Sequence, residues 1–432
     1  MASAIRSVIH FPEPESRPVL IPEPDSSIPT GLPFADYRST RDNFVSGGLY
    51  GTLEPFLQGY RAYQPLDLHA PRWREKNPRG SFQEWRQTTK AFVIDCLHYD
   101  PGPVDLKAET LEVQQRDGYR AERVAFNTAP WSRVEGWFLC PDGSDGPFPA
   151  VILLHSWGGP MLLGKDRYVS RGKSHPRLIQ FLKDSYSGRF MAEDLVRRGY
   201  AVLVIDAFHF GSRLPWGAWF LQQRTEPMMP PPLDPLDLDP EAFDELNSKA
   251  VEMVSHGNRY LRWAGTTWAG VNFWDDSRCV DYLVSRPEVD PSRIGCVGHS
   301  GGGWRAHLLA GLDDRIAASV SSCWTTIGHW QHLYSFVGTV GYFSELPDLW
   351  RRLDVPDLAL LAAPRSAMVI SGQHDHLFAP EGMEEAARQI ADGFSWAGIP
   401  DRFRFLYPPK AHCFHQEEQN AAWAWFDRWL RD

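Results

Sequence analysis

Residues 293–312 read RIGCVGHSGGGWRAHLLAGL, and this stretch decides the fold. Its first residues form a short apolar run of the buried-strand type, a glycine-rich turn follows, and WRAHLLAGL carries helix-forming residues. Gly298-His299-Ser300-Gly301-Gly302 matches G-x-S-x-G in the strand–turn–helix setting that this motif requires. The turn is tight enough that small residues must flank the serine. It holds the hydroxyl out at the carboxyl edge of a sheet, with a helix N-terminus behind it to favour developing negative charge. Ser300 is therefore the candidate nucleophile.

Outward from this turn, the same rhythm repeats. Buried-strand runs recur at AVILL (150–154), YAVLVIDAF (200–208), IAASVSS (316–322), SAMVISG (366–372) and FRFLY (403–407), with helical text between them. RAERVAFNTA and RVEGWFLCP alternate as antiparallel opening strands. FMAEDLVRRG ends on arginines and Gly199, a good helix stop. The last segment sets Ala422, Trp425, Phe426, Trp429 and Leu430 on one apolar helical stripe that docks on a sheet. The expected class is α/β, with an α/β-hydrolase fold: a mostly parallel central sheet, helices on both faces, an N-terminal extension and a long lid-like insertion.

A serine hydroxyl needs a base to take its proton and a carboxylate to orient that base. In this fold the chain order is serine, acid, histidine. SAMVISGQHDHLFAP offers Asp375 just past one late strand, and FRFLYPPKAHCFH offers His412 past the next. His415 is the competing base, set aside because His412 falls at the first turn after the strand. His374 and His376 flank the acid. With Asp375, or as the pair His412 and His415, these residues have the donors of a metal site, but a serine elbow in the same place already accounts for them.

After AVILL comes His155-Ser156-Trp157-Gly158-Gly159, the loop that supplies the second oxyanion donor in this fold. The first donor is expected to be the Gly301 N–H, and the second that of Trp157, with Ser156 as the alternative. Gly159 to Asp166 falls one residue short of a phosphate-binding loop. Asp166 stands where the magnesium-binding hydroxyl belongs, so local ion pairs of Lys165 and Asp166 are the expectation there.

Residues 1–105 read as an N-terminal arm and a partly helical extension, with helices around SFQEWRQTTKAFVIDCLHY, and residues 106–432 as the catalytic domain. The first 35 residues are proline-punctuated, an extended strap or a disordered tail. Residues 213–265 form the lid-like insertion, a loop long enough to expect a function for it. Trp216, Trp219, Trp324 and His299 are the candidate substrate-binding residues, drawn from a chain with 18 tryptophans.

The net charge of −10 argues against nucleic acid or an anionic membrane as partner. No apolar run approaches the roughly 18 residues of a membrane span, and the N-terminus lacks the apolar core of a secretory signal. Cys96, Cys140, Cys279, Cys296, Cys323 and Cys413 show no CxxC spacing. They read as reduced thiols of a cytoplasmic protein, a disulfide being the alternative. The arm points to a homo-oligomer.

DGYRAERVAFNT, GPFPAVILLHSWGG, LLGKDRY, RRGYAVLVIDAFHFGSR, SRIGCVGHSGGGWRA, LDDRIAASVSSCWTT and APRSAMVISGQHDHLF together resemble the acetyl-xylan-esterase-like and dienelactone-hydrolase-like families, over about 105–432. The resemblance implies that Ser300, Asp375 and His412 act as a triad and that the His155–Gly159 loop forms the oxyanion hole. It also implies that no metal or organic cofactor is used and that a small acyl ester is cleaved. Two departures stand out: the loop reads HSWGG rather than HDHGG or HG-aromatic, and three glycines follow the serine. Amide, peptide or carbon–carbon bond hydrolysis on the same three residues is the alternative.

Overall fold

The computed structural model describes residues 60, 61, 63–143, 146–214, 234–328 and 341–431. The chain divides into two units, Met1–Gln64 and Pro65–Asp432; only a few residues of the first are described. The proline-punctuated arm, Trp216 and Trp219 lie outside the described residues.

Early in the second unit, after a short helix at Ala70–Lys76, comes helix α1 (Phe82–Cys96), which opens on a capping box between Ser81 and Glu84 and buries Trp85 completely. Nine strands follow: β1 (Glu109–Arg116), β2 (Tyr119–Ala129), β3 (Ser132–Pro141), β4 (Phe148–Leu154), β5 (Ala201–Ile205), β6 (Val289–His299), β7 (Ile316–Ser322), β8 (Ser366–Ile370) and β9 (Phe403–Leu406). They form one sheet in the order β1-β2-β3-β5-β4-β6-β7-β8-β9. The first three strands and the β3–β5 pair are antiparallel, and every pairing from β5 through β4 to β9 is parallel. The connecting helices are α2 (Pro176–Tyr186), α3 (Met191–Arg197), α4 (Pro240–Trp263), α5 (Trp268–Val284), α6 (Gly301–Leu312), α7 (Val355–Leu360), α8 (Pro380–Trp396) and α9 (Gln416–Leu430).

Neighbouring residues of β6 show that helices cover both faces, because side chains alternate across a strand. A Cβ on Gly295 would meet Phe426 and Leu430 of α9 at 3.0 Å, while the Cys296 sulfur faces the Ala306 carbonyl of α6. The central strands β4 and β5 are buried almost throughout, as their uninterrupted apolar text requires. The sheet is thus that of an α/β-hydrolase fold.

Three readings change. The run 200–208 leaves the sheet at Ile205, since Asp206 turns inward to an ion pair. Strand β1 was not foreseen: ETLEVQQR is exposed at nearly every position, so an edge strand pairing only with β2 has no apolar face to betray it. Within the lid-like insertion, residues 240–263 are not a loop but one 24-residue helix, capped by Asp239 with Pro240 at its first position. All six cysteines are buried and free.

Candidate active site

Strand β6 ends at His299, and the chain turns into α6 through Ser300 with φ 58° and ψ −124°. Few non-glycine residues adopt that conformation, and it is held here by the surroundings. The Ser300 N–H donates to the Ser322 carbonyl at 2.8 Å, and the Ser300 carbonyl accepts from Gly303 N–H at 2.7 Å. The third glycine of the turn is set by close approach: a Cβ on Gly302 would lie 1.9 Å from the Leu154 carbonyl oxygen. The serine therefore sits at the carboxyl end of β6 and the N-terminus of a 12-residue helix.

Asp375 and His412 come from the loops after β8 and β9. These loops are laced together by backbone bonds, Gln373 N–H to Pro408 O and His374 N–H to Lys410 O, each 2.9 Å. His412 Nδ1 lies 2.7 Å from Asp375 Oδ2, and Leu377 N–H donates to the other carboxylate oxygen at 3.0 Å. The Asp375 side chain is fully buried, whereas that of His412 is 16% exposed. The His412 ring lies 5.0 Å from that of His299, beside the elbow. His415 is engaged elsewhere: it caps α9 and its Nε2 meets the Asp184 carbonyl at 2.8 Å. His374 and His376 are exposed on the loop.

The loop after β4 brings the other expected group close. A Cβ on Gly301 would stand 3.0 Å from the Trp157 backbone nitrogen, so these two residues, each with a backbone N–H, lie against one another. Among the described residues neither has an acceptor. A pocket of about 180 Å³, counted with its open mouth, is lined there by Ser156, Trp157, Phe210, Asn272, Gly301 and Phe343, among others. The Trp157 ring packs on Phe343 at 4.9 Å, Trp268 at 5.2 Å and Phe210 at 5.4 Å. The Ser156 side chain turns away from this space. Its Oγ accepts from Arg167 at 3.0 Å and from the Tyr186 hydroxyl at 3.2 Å.

Two expected substrate contacts are corrected. His299 is only 3% exposed, with Nδ1 3.1 Å from the Tyr186 hydroxyl, because alternation along β6 turns the residue before the serine inward. Burial, and then the charges of His412 and His415, hold its imidazole well below the usual histidine range, so it is neutral. Trp324 is also 3% exposed, its ring packed against Trp304 at 4.6 Å and Phe378 at 5.7 Å.

His299, Cys323 and His412 bring potential metal donors within 4.8 Å of one another. Two of them are otherwise engaged, His299 Nδ1 with Tyr186 and His412 Nδ1 with Asp375. Of the ion pairs read in the loop, Asp166 meets Arg171 at 3.5 Å, while Lys165 reaches Asp206, fully buried beneath the loop. Desolvation opposes the Lys165 charge, but the adjacent Asp206 carboxylate outweighs it and raises the ammonium above its usual range. Arg167, Tyr186, Asn272 and Phe210 stand at the site without having been picked out by motif. Of these, Arg167 and Phe210 fall within quoted runs, LLGKDRY and RRGYAVLVIDAFHFGSR, with no role assigned to them.

Comparison with known proteins agrees with this architecture. Residues 254–432, which contain Ser300, Asp375 and His412, match the model of the prolyl oligopeptidase family. The chain is 25% identical over 325 residues to "Putative hydrolase YtaP" of Bacillus subtilis, covering 75% of this chain and 93% of that one. Among solved structures, a "putative acetyl xylan esterase" of Bacteroides fragilis superposes with a TM-score of 0.57 at 18% identity, over 76% of this chain and 75% of that one. A glucuronoyl esterase from Solibacter usitatus gives 0.55 at 16% identity, over 81% and 93%.

Proposed function

From the premise that the chain has an α/β-hydrolase fold, we propose that it is a serine hydrolase cleaving a carboxylic ester with a small acyl group. Ser300 is the nucleophile, His412 the base and Asp375 the residue that orients it, with Gly301 and Trp157 N–H groups as the oxyanion hole. The supporting observation is the strained serine elbow on the same sheet edge as a bonded His412–Asp375 pair. His412 takes the Ser300 proton as the hydroxyl attacks the carbonyl, and the two N–H groups bind the oxyanion. The imidazolium then protonates the leaving alcohol. Water, deprotonated in turn by His412, clears the acyl-enzyme. Asp375 accepts from Nδ1, which leaves Nε2 as the proton-accepting atom.

Acetyl xylan and glucuronoyl esterases among the similar folds favour a carbohydrate-linked ester. The prolyl oligopeptidase match over 254–432 favours a second reading, amide or peptide hydrolysis on the same residues.

Rates on p-nitrophenyl esters from acetate to octanoate, for wild type and Ser300→Ala, decide between them. Acetate cleavage that disappears in the variant supports the esterase. Cleavage of p-nitroanilides alone would transfer the assignment to amides. An active Ser300→Ala protein would remove the nucleophile assignment altogether.

A further inference from the structure

Arg167 is completely buried, and its guanidinium meets no carboxylate among the described residues. Instead it is surrounded by carbonyl oxygens of a single loop. Nη1 donates to Ser156 O at 2.9 Å and Gly158 O at 2.7 Å, Nη2 to Pro160 O at 2.7 Å, and Nε to Leu163 O. Its faces are closed by Phe181 and Phe210, 5.1 Å and 5.2 Å from the guanidinium carbon. A cation held this way is costly, and desolvation draws its proton affinity down to about 10. A purely structural role would be served by an arginine paired with an acid, as Arg305 is with Asp276.

The Ser156 carbonyl explains the arrangement. In a trans peptide the C=O and the following N–H point in opposite directions. The Ser156 oxygen therefore fixes the direction of the Trp157 N–H, the group facing Gly301. A second donor secures the same oxygen. The Ala207 N–H donates to His155 Nε2 at 2.9 Å, so the hydrogen of the neutral imidazole sits on Nδ1, 3.1 Å from Ser156 O. Burial, and then the Arg167 charge, keep that imidazole neutral.

We propose that Arg167 is a positioning residue of the oxyanion hole, aiming and polarising the Trp157 N–H through the Ser156–Trp157 peptide. The inference rests on the serine-hydrolase reading above. Hydrogen bonds in a chain strengthen one another. The buried cation also places positive potential where negative charge arises in the tetrahedral state and not in the ground state, so its contribution belongs to kcat.

The test uses the full chain with Arg167→Met and Arg167→Lys, p-nitrophenyl acetate as substrate, and a short trifluoromethyl ketone as an analogue of the tetrahedral state. Circular dichroism confirms folding. Arg167→Met is expected to lower kcat by roughly 10- to 100-fold with KM within about threefold, below the 10²–10³ of losing an oxyanion donor outright. Ketone affinity should fall in parallel with kcat/KM. Lysine cannot span the carbonyls, so it should recover only part of the loss; it also carries the test if the methionine variant does not fold. A folded variant with kcat within twofold of wild type overturns the inference, as does an unchanged ketone affinity. Failure of the underlying reading is separate, because it shows as activity retained in Ser300→Ala.

Discussion

The carboxylate of Asp375 and the imidazole of His412 meet at 2.7 Å although 37 residues separate them in sequence, and the acid is fully buried while the base reaches solvent. The acid takes one further hydrogen bond, from Leu377 N–H, which fixes its plane. Asp375→Asn keeps the shape but allows the amide to donate to Nδ1 and so selects the wrong tautomer. A fall in kcat of about 10⁴ with an unchanged fold is expected from steady-state kinetics. A loss under tenfold would show that another group orients the base.

His415 provides the contrasting case. Its ring and backbone serve α9 and the Asp184 carbonyl. His415→Ala should cost about 1 kcal/mol in denaturant unfolding, the usual scale of a lost cap. Ester turnover should stay within twofold of wild type. Abolished turnover in a folded protein would move the base assignment from His412 to this residue.

The Lys165–Asp206 pair lies almost wholly out of solvent beside the 155–159 loop, with Ser212 and the Lys165 backbone N–H also bonded to the carboxylate. Removing one partner leaves an uncompensated buried charge. Lys165→Met should therefore destabilise by about 3–5 kcal/mol. Lys165→Met with Asp206→Asn should recover much of that. Urea midpoints of the single and double variants check this; a double variant no better than the single would mean that the pair's shape, rather than its charge, matters.

Acid stability follows from buried imidazoles, His209 and His307 beside the His155 and His299 already described. Burial, reinforced by Arg213, holds His209 down at about 4, and burial alone does the same for His307. In the unfolded chain each takes up a proton near 6.5. Below that pH the unfolded state binds protons that the native state refuses. Stability is thus fully present above about pH 6.5 and is lost as pH falls toward 4, by on the order of 3 kcal/mol for each residue. Unfolding free energies measured at pH 7.5, 6 and 5 should decline steadily, and less so in His307→Gln. A flat profile over that range would contradict the assignment.

The sheet and the candidate triad of Ser300, Asp375 and His412 are legible because each carries a local signature: apolar runs bounded by turns, a glycine-flanked serine, an acid and a histidine just past successive strands. What escaped reading has no such signature. Strand β1 is exposed along its length, and its identity comes only from pairing with β2. The inward turn of His299 depends on strand register, and the burial of Trp324 on partners scattered along the chain. Arg167 stands in the sequence only as one residue of the run LLGKDRY, with nothing local to mark it. Its carbonyl partners at 156, 158, 160 and 163 become a cluster only once the loop wraps around it.

The backbone at Ser300, at φ 58° and ψ −124°, sets chemistry and durability against each other at one position. Such a conformation costs about 1–3 kcal/mol for a residue with a side chain and almost nothing for glycine. Ser300→Gly should accordingly melt at a higher temperature than the active protein while turning over nothing.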